Sequence, residues 1–134
     1  METPGPSGQP RILIVDDEPP LLKMMNVYLQ RLGYSVTTST STEQAAGLVA
    51  QEAFAAVVID GTMPGLSMEE LARCTLQANP SVHVLASSGY PVDMSALEAA
   101  APGRVAFLHK PFTPEMLAAA LRRIFAAEKK EEEL

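Results

Sequence analysis

Tryptophan is absent from this sequence of 134 residues, cysteine occurs once, as Cys74, and aromatic side chains make up only 5%. A lone thiol excludes an internal disulfide framework and suits a reducing compartment, so the chain is expected in the cytoplasm. Positive charge is scarce too: 10 Lys and Arg stand against 16 Asp and Glu, a formal net charge of −6. Phosphate contacts need clustered cations, so this domain is not expected to bind nucleic acid. Long apolar runs are also missing. The longest, Ala53 to Ile59, is far too short to cross a bilayer, and no membrane partner is expected. METPGPSGQP, residues 1–10, carries neither a basic region nor an apolar stretch, unlike a signal peptide, and reads as a flexible leader. His83, His109 and Cys74 show no metal-ligand spacing and read as packing or surface residues.

What the chain does contain is a regular alternation. Arg11–Val15 is a short aliphatic strand, and Pro19-Pro20 suits the first turn of a helix carrying Leu21, Met24, Met25, Tyr28 and Leu32 up to the stop at Gly33. Ser35–Ser39 is a weaker strand. Thr42 is the expected cap of a second helix with Ala45, Leu48 and Val49 on one stripe. Ala55–Ile59 is the third strand, and Ser67 with Glu70 forms a capping box for a helix ending near Asn79-Pro80. Val82–Ser87, a short helix over Asp93–Ala101, Val105–Leu108 and a helix from about Thr113-Pro114 complete the chain. Five strands, mostly unbroken apolar runs, alternating with five helices predict an α/β domain over residues 11–127, a doubly wound parallel sheet covered on both faces. Residues 128–134 read as an acidic tail at the solvated end of the last helix.

In such a sheet, ligands bind outside the carboxyl ends of the strands. Strand one runs into Asp16-Asp17-Glu18, strand three into Asp60, strand four into Ser87-Ser88-Gly89 and strand five into Lys110-Pro111. Each has an ordinary reading alone, as a turn, a cap or a solvated charge, but all would converge on one crevice. Packed carboxylates repel, by roughly 3 kcal/mol per pair at ~5 Å and an effective dielectric of about 20. A hard divalent cation with oxygen ligands offsets that, and magnesium leaves room for a phosphate. With Lys110 as a point positive charge and Ser88 as a hydroxyl donor, the constellation suits phosphoryl transfer to an aspartate nucleophile.

The motifs ILIVDDE at 12–18, VVIDGTMPG at 57–65, ASSGY at 86–90 and FLHKPF at 107–112 resemble the response-regulator receiver domain of bacterial two-component signalling, over about Arg11 to Ala127. The resemblance implies the flavodoxin-like strand order 2-1-3-4-5 and a phosphoryl group accepted by Asp60 from a sensor histidine kinase or phosphotransfer protein. It implies Mg2+ held by Asp17 and Asp60 directly, by Asp16 through water and by the backbone carbonyl of Thr62. Ser88 matches the switch hydroxyl, Phe107 the switch aromatic, Lys110 the phosphate-holding lysine and Pro111 a commonly cis proline. Ser87 competes with Ser88 for the switch role, and Ser88 is preferred because it directly precedes Gly89. Phosphorylation would reshape residues 93–127 for a downstream protein or a weak homodimer, without turnover of external substrates. One departure stands out: Ser67-Met68 replaces the family's common Asp-Gly, which would narrow the approach to the site.

Two other readings compete with this one. IDGT resembles part of the D-x-D-G-T of aspartate-nucleophile phosphatases, but the nucleophile position there falls on Val58. The other is a degenerate receiver that binds protein without phosphorylation, and the intact set of pocket residues speaks against it.

Overall fold

A computed structural model describes residues 9–133, except for the side chains of 128–133. Residues 1–8 of the expected leader, and the side chains of the expected acidic tail, lie outside the described residues. The strands are β1 (Arg11–Val15), β2 (Ser35–Ser39), β3 (Ala56–Asp60), β4 (His83–Ser88) and β5 (Val105–His109). The helices are α1 (Pro19–Arg31), α2 (Thr42–Gln51), α3 (Met68–Ala78), α4 (Ser95–Ala100) and α5 (Pro114–Glu133). All pairings are parallel and the order is β2-β1-β3-β4-β5, which bears out the expected fold class.

The sheet has no polar face because it is covered twice. On one side Ile12, Ile14, Val58 and Leu85 meet Leu22, Met25 and Leu29 of α1 and Leu117 and Leu121 of α5. On the other, Leu13, Val15, Val57, Ile59 and Val84 meet Ala45 and Val49 of α2, Leu71 and Ala72 of α3 and Leu97 of α4. Every residue of β3 is buried, so the run from Ala56 to Ile59 shows no alternation. Each fully buried Leu or Ile contributes about 1.5–3 kcal/mol, which fixes the register of the strand ends.

Three strands reach one residue further toward their carboxyl ends than the apolar pattern does. Asp60 pairs with Ser87, and Ser88 with His109, because the ladder uses backbone groups and ignores side-chain polarity. The expected cap of α2 is corrected: Ser41 is the N-cap, its Oγ accepting from the Gln44 N–H at 3.1 Å. Thr42 is buried instead, donating its hydroxyl to the Pro64 carbonyl at 3.2 Å and accepting from the Leu66 N–H at 3.0 Å. It thereby fastens the β3–α3 loop to α2. Gly65, at φ 94°, permits this contact, since a Cβ there would strike the Thr42 hydroxyl. The capping box at Ser67 and Glu70 is present in both directions, at 3.0 and 2.9 Å.

Candidate functional site

Parallel strands deliver their carboxyl ends to one edge of the sheet. Asp16 follows β1, Asp60 closes β3, Ser88 closes β4 and Lys110 follows β5. Asp16 and Asp60 are 2% and 3% exposed, and Lys110 Nζ lies between them, 3.0 Å from Asp16 Oδ2 and 3.3 Å from Asp60 Oδ2. Glu18 Oε1 stands 3.9 Å from the same nitrogen. Burial raises the Asp16 pKa; the hydrogen bond from Lys110 opposes this, while the nearby Asp60 charge reinforces it. For Lys110, burial alone would lower the pKa, but the bond and charge of Asp16, and then those of Asp60, outweigh it and raise the value.

The second carboxylate oxygen of each aspartate is held by backbone. Asp16 Oδ1 accepts from the Glu18 N–H at 3.0 Å. Asp60 Oδ1 accepts from both the Thr62 N–H, at 3.1 Å, and the Thr62 hydroxyl, at 3.0 Å. Thr62 entered the sequence reading only through its carbonyl, so this orienting role of its side chain was missed. Oxygens of Asp16, Asp17 and Glu18 lie within 4.8 Å of one another, a group able to hold a cation. Asp60 stands outside that trio, on Lys110 and Thr62. Glu18 was read only as part of an acidic run, and its reach toward Lys110 left no separate signal in the sequence.

The two serines divide between the faces of the sheet. Ser87 lies opposite Asp60 and its hydroxyl approaches the Ile59 carbonyl at 3.5 Å. Ser88 is on the other face, buried, with its Oγ accepting from the Tyr90 N–H at 3.1 Å. Phe107 pairs with Ala86 and so shares the face of Ser88; its ring is 37% exposed and 6.0 Å from that of His109. The Lys110–Pro111 peptide bond is cis, as the resemblance implies. An open cleft of about 380 Å3, lined by Glu18, Leu21, Gly89, Lys110, Pro111 and Phe112, leads to the lysine.

Residues 12–122 match the family described as the response regulator receiver domain. The chain belongs to that family. The receiver is 33% identical over 119 residues to the C4-dicarboxylate transport transcriptional regulatory protein DctD of Rhizobium meliloti (strain 1021), covering 87% of this chain and 25% of DctD. It therefore spans about a quarter of the length of that curated relative. Among solved structures, the BeF3-activated receiver domain of DrrB, a Thermotoga maritima protein, is 31% identical with a TM-score of 0.72, covering 88% of this chain and 98% of the other. A CheY-like receiver from Methanospirillum hungatei JF-1, 24% identical, shares the fold at a TM-score of 0.81 over 92% of this chain and 98% of its own. Among the described residues, no helix of the receiver is long and apolar enough to cross a membrane. Val58, where the phosphatase reading needs its nucleophile, is buried in the core between β1 and β4.

Proposed function

We propose that this receiver accepts a phosphoryl group on Asp60 within a histidine-to-aspartate phosphorelay in the cytoplasm. The observation that carries the reading is the Lys110 ammonium set between two buried carboxylates, 3.0 and 3.3 Å away, at the carboxyl edge of the sheet. An Asp60 oxygen attacks the phosphorus of a phosphohistidine on a sensor kinase or phosphotransfer protein. The P–N bond breaks, its electron pair returns to the imidazole, which takes up a proton, and an acyl phosphate forms. Thr62 orients the Asp60 carboxylate, and Lys110 holds an oxygen of the arriving group.

The donors fit a hard cation: all are oxygens, and Asp16, Asp17 and Glu18 already cluster. Mg2+ would be held by Asp16, Asp17, Asp60 and the Thr62 carbonyl, supplying positive charge against the carboxylates and the phosphoryl oxygens. The Ser88 hydroxyl exchanges the Tyr90 N–H for a phosphoryl oxygen, and Phe107, whose cross-strand partner is Ala86, turns inward. The surface so changed, residues 93–127, serves a downstream protein partner or a weak homodimer, with no turnover of external substrates. Mass spectrometry after treatment with an acyl phosphate and magnesium tests the assignment. Wild type should gain one phosphoryl group and Asp60→Asn none; full labelling of the variant refutes Asp60. An unlabelled wild type would leave a protein-binding module that works without phosphorylation.

A further inference from the structure

The residue after Asp60 has no side chain, and the space beside it is already taken. Gly61 donates its N–H to the Ser87 carbonyl at 2.7 Å. A Cβ at Gly61 would lie 3.1 Å from that carbonyl oxygen, 3.3 Å from Ser88 Cβ and 3.4 Å from Met68 Sδ. The thioether of Met68 and the Ser88 side chain thus flank one point next to Asp60. Met68 is the first residue of α3, fixed in place by the capping box at Ser67, and it packs half-buried beside the core layer that also holds Met63 and Met94. Bulk that the backbone lacks at Gly61 is delivered from the start of α3, at a position where the family commonly carries glycine.

We propose that Met68 is a positioning residue that prolongs the life of the phosphoryl group on Asp60, an inference that rests on the acceptor reading above. Hydrolysis requires a water oxygen to bond to phosphorus while the bond from phosphorus to the Asp60 oxygen breaks, releasing inorganic phosphate and the carboxylate. On the side of Gly61 and Ser88, next to Asp60 in the chain, the water would pass Met68. A thioether fills that space and, as a weak acceptor, orients no water.

Wild type, Met68→Ala and Met68→Leu are labelled with an acyl phosphate and magnesium, freed of donor and followed by mass spectrometry. Met68→Ala should lose its phosphoryl group faster by about threefold or more, while Met68→Leu, which refills the space, should stay with wild type. A urea-unfolding cycle of Gly61→Ala and Met68→Ala reads the contact without phosphorylation. The new Cβ would meet Met68 Sδ at 3.4 Å, an ordinary contact that Met68→Ala removes, so Gly61→Ala should cost more in the Met68→Ala background than in wild type. Equal lifetimes in wild type and Met68→Ala overturn the inference alone, leaving the acceptor reading intact. A shortened lifetime with an additive cycle overturns the contact as its cause. A wild type that takes no label overturns both readings.

Discussion

Replacing Lys110 by methionine keeps the length of the side chain and removes its charge. Asp16 and Asp60 would then face each other buried and without a cation among the groups now 3.0 and 3.3 Å from Lys110 Nζ. At an effective dielectric of about 20, each lost attraction is worth about 5 kcal/mol before the desolvation of the ammonium is returned. Removing one partner of a buried pair typically leaves a net loss of 3–5 kcal/mol. Because the lysine is 18% exposed, the lower end applies, and about 3 kcal/mol, or about 10 °C in melting temperature, is expected in the presence of chelator. The pH dependence carries its own sign. The Asp16 pKa is raised above 3.8, so the folded state holds a proton that the unfolded state has released, and stability falls as pH rises through that window. Lys110 opposes the shift in wild type, so the fall should steepen in Lys110→Met, with the deficit largest at neutral pH and shrinking toward pH 4. Lys110, whose pKa is raised above 10.5, adds stability that is fully present below that value and lost as pH rises through its folded pKa; the variant should lack this alkaline loss. Urea and thermal melts from pH 4 to 11 test both limbs. A deficit under about 1 kcal/mol, flat with pH, would refute the electrostatic account of the pocket.

Millimolar magnesium should raise the wild-type melting temperature by binding the folded state, and Asp17→Asn should remove most of that rise; an unmoved wild-type curve would count against the cation site. Ser88→Ala should still take up phosphate, since among the described residues its hydroxyl bonds the Tyr90 N–H and neither Asp60 nor Lys110. Amide NMR of the beryllofluoride-treated proteins should show shifts across residues 88–108 in wild type and mainly near Asp60 in the variant; equal distant shifts would sink the coupling. Thr42→Val removes the donor to Pro64 and the acceptor of Leu66, and should cost about 2 kcal/mol while speeding amide exchange of Leu66. Unchanged exchange there would show that the loop is held by something else.

The sheet was legible because double burial writes each central strand as an unbroken apolar run, and the pocket because those three strands and the edge strand β5 all run into charge or hydroxyl. The misplaced boundaries fall in that same region. Asp60 and Ser88 continue the ladder through their backbone while their side chains serve the pocket, so a reading by apolar character stops one residue early. Thr42 shows a different limit. Two adjacent hydroxyls, Ser41 and Thr42, are equally good caps by residue type, and only the position of the β3–α3 loop decides that Ser41 caps and Thr42 reaches for Pro64. The second role of Thr62, and the reach of Glu18 toward Lys110, depend on rotamers that no spacing encodes. Met68 was visible as a departure from the family, but its neighbour Gly61 gave the departure a physical meaning.

The contact between Lys110 and Asp16 closes 94 residues of chain, and β5, which delivers the lysine, is an edge strand paired only with β4. Long closures are entropically expensive, so such a contact forms only after the intervening strands have been laid down. On a ribosome, Asp16, Asp17 and Asp60 emerge well before their counter-ion. A nascent chain lacking β5 has Asp60 but neither the ammonium beside it nor the cleft wall of Lys110, Pro111 and Phe112. The pocket is thus complete only in the finished fold, and on the proposed reading the capacity to accept a phosphoryl group arrives with the last strand.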